Sequence, residues 1–92
     1  MKIKGYALVR FCDSDVFPAI IKEDGGYVSI GDEVMLKMNE GDEETAIVVS
    51  SVEYVEDADL IAKLFDTCAE LLPVIIGKIT RDYWYKEKQD AE

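Results

Sequence analysis

The residues best able to do chemistry in this chain are carboxylates, and several of them lie in one short segment that contains the same triplet twice. The stretch GDEVMLKMNEGDEE contains the triplet Gly31-Asp32-Glu33 and, ten positions later, the triplet Gly41-Asp42-Glu43. Carboxylate oxygens are the ligands of hard cations such as calcium, and a close pair of carboxyl groups can serve as general acid and base. The two triplets therefore raise the hypotheses of a cation site and of a catalytic pair.

A third acidic segment, Asp13-Ser14-Asp15, resembles the first residues of the calcium-binding loop of an EF-hand. Such a loop needs a glycine and a final glutamate at set later positions, and the residues that follow, VFPAIIKED, supply neither. We therefore expect no metal and no other cofactor.

The chain has no histidine. Its absence excludes a Ser-His or Cys-His nucleophilic pair and most zinc sites. No glycine-rich phosphate loop of the common types occurs either. We expect a protein that is not an enzyme.

The net charge is −10, from 20 acidic and 10 basic residues. A charge of this sign offers no basic surface to a nucleic-acid backbone or to anionic lipid, whereas it attracts basic proteins. We expect a protein partner, possibly a basic one, with no direct nucleic-acid binding and no membrane association.

The two cysteines, Cys12 and Cys68, show neither a CxxC motif nor the spacing of a disulfide scaffold. The N-terminal stretch MKIKGYALVRF alternates instead of forming the apolar core of a signal peptide. Nowhere does the chain approach the roughly 20 apolar residues of a membrane span. These features predict a cytoplasmic protein with two reduced, buried thiols.

Most of the chain has the period of β-strands. Residues 3–11 alternate, and residues 16–30 are interpreted as a β-hairpin around Asp24-Gly25-Gly26, with Pro18 at an edge or a bulge. Further strands are predicted at 34–38 and 45–55. Both acidic triplets fall between predicted strands, where turns demand glycine and aspartate, so we interpret them as turns and not as a site.

Within residues 45–55, the apolar positions change from odd to even at Ser50-Ser51. This change of parity indicates a β-bulge. Alternatively, residues 46–49 are buried on both faces.

Residues 57–72 change to the helical period. Asp57 and Asp59 are suited to cap the N-terminus, and Pro73 ends the segment. We expect one helix whose apolar stripe packs on the sheet; the stripe consists of Leu60, Ile61, Leu64, Phe65, Cys68, Leu71 and Leu72.

A last strand is predicted over 74–85, followed by a disordered tail at 86–92. The order is therefore β-β-β-β-β-α-β in a single domain, residues 1–85. Short strands, tight turns and one helix at this length are typical of a small antiparallel β-barrel, SH3-like or OB-like.

The function expected of such a domain is binding to another protein. Tyr83, Trp84 and Tyr85 are candidate contact residues because aromatic side chains are common at interface hot spots; alternatively, Trp84 covers the barrel mouth. A second hypothesis is an acidic inhibitor, of the kind that phages or mobile elements direct against host defences, which mimics nucleic-acid phosphates. Its contact residues would come from two acidic patches, Glu40, Asp42, Glu43 and Glu44, and Glu53, Glu56, Asp57 and Asp59.

Overall fold

The computed structural model describes residues 2–11 and 15–79, which form a closed five-stranded β-barrel with one α-helix. The elements are β1 (Ile3–Arg10), β2 (Val16–Lys22), β3 (Glu33–Lys37), β4 (Glu43–Val48), α1 (Ala58–Leu64), a 3-10 turn (Ala69–Leu71) and β5 (Val74–Ile79). The predicted class, mainly β with one helix in a small barrel, is confirmed.

Two hairpins and one crossing strand close the barrel, in the order β1-β2-β5-β3-β4 and back to β1. The hairpins β1–β2 and β3–β4 are antiparallel, and so is the closing pair β1–β4. β5 fills the gap between the hairpins, antiparallel to β3 and parallel to β2. Four of these five strand pairs are antiparallel, as predicted. The fifth pair, β2–β5, is parallel because α1 carries the chain across the barrel to a strand that runs in the same direction as β2.

The interior of the barrel is lined by small and branched apolar side chains, as strand alternation predicts. In β1, Gly5, Ala7 and Val9 point inward, while Tyr6 and Leu8 are half-buried on the other face. This core consists of Ala7, Val9, Ala19, Ile21, Val34, Leu36, Ala46, Val48 and Ile75.

Pro18 lies inside a strand without disrupting it. The N–H of Ile20 donates to the carbonyl of Pro73 at 2.8 Å, so it points toward β5. The nitrogen of Pro18, two residues earlier, points to the same side of the strand. It lies before the first β2–β5 pair, which is Ile20 with Val74. The missing donor therefore costs no ladder bond, which agrees with the predicted edge position.

A second core lies outside the barrel wall, beneath α1. Ile61 and Ala62 of the helix pack with Ile20 and Leu72 and with the first residue of β1, Ile3. β2 is consequently buried on both faces, with Ala19 and Ile21 inside the barrel and Ile20 under the helix.

The predicted irregularity at Ser50-Ser51 is present. Val9 pairs with Val48, and Tyr6 pairs with Glu53. The chain therefore advances three residues from Tyr6 to Val9 but five residues from Val48 to Glu53, which places two extra residues in the second segment. Ser50 bridges the gap because its Oγ accepts the Leu8 N–H at 2.8 Å. The predicted change from odd to even buried positions is nevertheless wrong. Ala46 and Val48 are buried and Ile47 is exposed, and an insertion of two residues leaves the even-numbered side chains pointing inward.

The single helix predicted over 57–72 is shorter in the structure. Asp57 caps its start as expected, accepting the N–H groups of Asp59 and Leu60 at 3.0 and 3.4 Å. The helix ends in a Schellman motif, in which Thr67 N–H donates to the Ala62 carbonyl and Asp66 adopts a φ of 55°. The chain then turns, so that later apolar residues do not continue the same helical face.

The predicted hairpin over residues 16–30 is also wrong in its second half, because residues 27–30 form no strand. Gly25 N–H does close a turn onto the Lys22 carbonyl at 2.9 Å. Beyond it the loop is held by lysines from β1 and β5. Lys4 donates to the Gly25 carbonyl at 2.8 Å and lies 4.4 Å from the Tyr27 ring centre, and Lys78 donates to the Tyr27 carbonyl at 3.4 Å.

Candidate functional site

The second acidic triplet is the turn of the β3–β4 hairpin. Gly41 N–H donates to the Met38 carbonyl at 2.9 Å, and Met38 N–H donates to the Asp42 carbonyl at 2.7 Å. Gly41 has a φ of 91°, the left-handed region that three-residue hairpin loops require of their last residue. Its role as a turn is confirmed.

The first triplet closes a turn at the entrance to β3. Asp32 N–H donates to the Ser29 carbonyl at 3.0 Å, and Gly31 has a φ of 96°. The Asp32 carboxylate accepts the Ser29 N–H at 2.8 Å and lies 3.5 Å from the Lys78 ammonium. Asp32 thus fastens the loop between β2 and β3 to β5, which is a structural role.

The carboxylates of the triplets do not converge. Among residues 2–11 and 15–79, no group of three or more acidic, cysteine or histidine residues is placed to hold a metal ion. No polar or charged side chain in this part of the chain is buried. Asp13 and Ser14 of the third acidic segment lie outside the described residues.

A concave surface lies at one end of the barrel, and we call it the mouth cleft. It has a volume of about 710 Å³. Its walls come from the tips of both hairpins, and its lining residues are Phe11, Asp15, Phe17, Met35, Met38, Glu43, Glu44 and Thr45.

The floor of the mouth cleft is aromatic and thioether. Phe11 directly follows β1 and Phe17 lies near the start of β2, with ring centres 6.3 Å apart in an edge-to-face arrangement. They sit beyond the last fully buried layer, and Phe17 is 43% exposed. Met35 and Met38 add flexible, polarisable side chains of the kind that adapt to varied apolar ligands. This surface can bury an apolar group of a partner.

The rim of the mouth cleft is acidic. Asp15, Glu43 and Glu44 are all exposed, and the one ion pair among the described residues is Lys78 with Asp32, elsewhere on the molecule. The rim carboxylates therefore form no ion pair with any described lysine or arginine. The cleft combines an apolar floor with negative charge at its edge.

The structure brings only some of the predicted contact residues together. Glu43 and Glu44 line the mouth cleft, while Glu40 and Asp42 lie exposed in the adjoining turn. The predicted contact residues Tyr83, Trp84 and Tyr85 lie outside the described residues, as does the predicted tail, 86–92.

Sequence reasoning missed the floor of the cleft. Phe11 fell at the end of the strand predicted over 3–11 and Phe17 within the hairpin predicted over 16–30, and neither was named as a contact residue. The available signal was their position: Phe11 directly precedes the polar segment CDSD, residues 12–15, and Phe17 follows it after one residue, so both lie near the end of a hairpin.

Cys68 differs from its predicted state. It is a free thiol, as expected, but it is exposed instead of buried. The cause is the early end of α1, which removes residue 68 from the buried helical face. Cys12 lies outside the described residues.

No helix in the described part of the chain combines the length and apolar character needed to span a bilayer.

Comparisons of the chain with protein-family models, with curated proteins and with solved structures return no significant match.

Proposed function

We propose that this chain is a non-enzymatic β-barrel module that binds another protein through the mouth cleft. The observation that carries the proposal is the pairing of an apolar floor, formed by Phe11, Phe17, Met35 and Met38, with the acidic rim. The fitting ligand is a segment with a large apolar side chain flanked by lysine or arginine.

The two parts of the cleft have different tasks in this proposal. Burying a large apolar side chain contributes about 1.5–3 kcal/mol, and this term sets affinity. The rim carboxylates and the net charge of −10 guide a basic partner to the cleft and orient it, which raises the association rate. A cytoplasmic location fits such a module.

The acidic residues at the β3–β4 turn also suit the alternative, an inhibitor that mimics nucleic-acid phosphates. Glu40, Asp42, Glu43 and Glu44 are all exposed on one hairpin. The two functions differ in what holds the partner. Contacts between exposed charges are screened over about 8–10 Å at physiological salt, whereas apolar burial persists as salt rises.

The test is affinity capture from the native host with wild-type protein and matched variants, followed by measurement of affinity for the partner recovered. Met35→Thr removes an apolar side chain of the floor while keeping a residue favoured in strands. Ile30→Thr makes the same kind of change at a residue that is exposed but outside the cleft. We expect Met35→Thr to weaken binding at least tenfold and Ile30→Thr to leave it unchanged.

Charge variants separate the two functions. Under the proposal, the double variant Glu43→Gln, Glu44→Gln slows association moderately, and binding survives moderate salt. Under the mimic hypothesis the same variant abolishes binding, moderate salt does the same, and Met35→Thr has no effect. A partner that behaves in this second way contradicts the proposed role of the cleft floor.

A further inference from the structure

Most of the apolar stripe predicted to pack on the sheet faces outward. Of the stripe, Ile61 and Leu72 are buried, whereas Leu60 is 47%, Leu64 61% and Phe65 37% exposed. Leu60 and Leu64 are four residues apart, so they lie on the same face of α1. We call Leu60, Leu64 and Phe65 the helix ridge.

The helix ridge is held in a fixed conformation. Asp57 caps the start of α1, and the Schellman motif at Asp66 ends it. Phe65 stacks edge-to-face on Tyr6 of β1, with ring centres 5.4 Å apart. Ile61 and Ala62, on the adjoining buried side of α1, anchor the helix in the second core. A ligand of the ridge would therefore meet a preformed surface and would not have to order it.

Exposed carboxylates surround the ridge. Lys63 is the only basic residue between positions 53 and 77. The exposed acidic residues in and beside the helix are Glu53, Glu56, Asp57, Asp59, Asp66 and Glu70. This charge disfavours binding of the helix ridge to a second copy of the chain, because the carboxylates around the two ridges would face each other across the interface. It favours a partner of opposite charge.

We propose that the helix ridge docks an amphipathic helix of another protein, with lysine or arginine residues flanking its apolar face. Two leucines at i and i+4 form the kind of ridge that fits between the side chains of a second helix. Lysine and arginine on that helix then reach the carboxylates around α1. The α1 helix has seven residues, about 10 Å of axis, so the contact covers two turns and its affinity is modest.

The ridge and the mouth cleft contact different parts of β1. Phe65 of the ridge stacks on Tyr6, and Phe11 forms part of the cleft floor. Five residues along the chain separate Tyr6 from Phe11, roughly 17 Å at about 3.3 Å per residue. The two surfaces can be occupied together, and the ridge proposal does not depend on the function proposed for the cleft.

The test is an NMR titration of the full-length, ¹⁵N-labelled protein with a synthetic 14-residue amphipathic peptide of leucine and lysine. We expect chemical-shift changes concentrated in residues 57–66 and no effect of an analogue with glutamate in place of lysine. Leu64→Asp should weaken binding at least tenfold. The matched control is Ile30→Asp, at a residue that is 66% exposed and distant in sequence from the ridge, and it should leave affinity unchanged.

Both variants alter exposed side chains, and the dispersion of the amide spectrum checks that each is folded. Shift changes spread over all the acidic surfaces, with equal affinity in both variants, would show charge attraction alone and overturn the proposal. So would self-association of the wild-type protein that Leu64→Asp abolishes, because the ridge would then bind a second copy. Ridge resonances that move in Trp84→Ala without peptide would also overturn the proposal, because the chain's own C-terminal segment would then occupy the ridge.

Discussion

The replacement Gly5→Ala tests how the segment after β4 is placed against β1. A Cβ built on Gly5 would lie 2.1 Å from the carbonyl oxygen of Glu53 and 3.0 Å from the Cα of Tyr54. These are backbone atoms, so no side-chain rotation relieves the clash. The same segment makes two backbone hydrogen bonds beside the glycine, Tyr6 N–H to Glu53 O and Glu53 N–H to Tyr6 O, both 2.9 Å long.

The expected loss follows from these contacts. Forcing an extra methyl group into a packed site costs about 1–3 kcal/mol, and each of the two hydrogen bonds contributes about 0.5–1.5 kcal/mol when it is disrupted. Alanine recovers about 0.4–1 kcal/mol by restricting the unfolded chain. At the middle of each range, the net change in the free energy of unfolding is a loss of about 3 kcal/mol. At about 4–8 °C per kcal/mol for a domain of this size, Tm falls by roughly 10–25 °C.

Thermal and urea unfolding followed by circular dichroism measure this change, with Gly77→Ala as the matched control. Gly77 also lies in a strand, β5, but nothing is within 4 Å of the position of its added Cβ. The control variant should be neutral or more stable by up to about 1 kcal/mol. Equal Tm values for the two variants would refute the placement of residues 49–55 across β1, and with it the path that delivers α1 to the barrel.

Three further outcomes are expected from unfolding experiments of the same kind. Gly31→Val should cost about 1–2 kcal/mol because its φ of 96° is unfavourable for any residue with a Cβ; a urea midpoint equal to that of Gly26→Val, at an open position, would contradict the assigned turn. Asp66→Gly should stabilise the protein by roughly 1 kcal/mol, because Asp66 ends α1 with a φ of 55°, and a lower Tm would count against the Schellman motif. Ile61→Ala should cost about 2–5 kcal/mol, whereas Leu64→Ala, at an exposed position, should stay within about 0.5 kcal/mol. Similar losses in these last two variants would mean that the helix ridge is buried.

The alternation of β1 and β3, the turn glycines Gly31 and Gly41, and the N-cap Asp57 were all predictable. Each depends on forces that act within a few residues, such as the side-chain period of a strand, the steric freedom of glycine and the hydrogen bond of a cap. The barrel class follows from counting such elements. For the same reason the acidic triplets could be assigned to turns before any fold was known.

The length of α1 and the exposure of its stripe were not predictable in this way. The apolar period of residues 57–72 continues past Leu64, but the helix ends there because Asp66 takes a left-handed conformation. Of α1, Ile61 and Ala62 are buried in the second core formed with β1 and β2, and Ala58 packs against it. Which apolar residues are buried depends on how many opposing side chains the barrel wall supplies.

The same distinction applies to the candidate sites. Composition alone establishes an acidic chain without histidine, and the expectation of a basic partner is based on that charge. The mouth cleft joins Phe11 and Phe17 to Met35 and Glu43, which are separated by up to 32 positions in the chain. Their proximity exists because the barrel closes by pairing β1 with β4, and pairing between distant strands depends on the packing of the whole molecule and not on any local pattern.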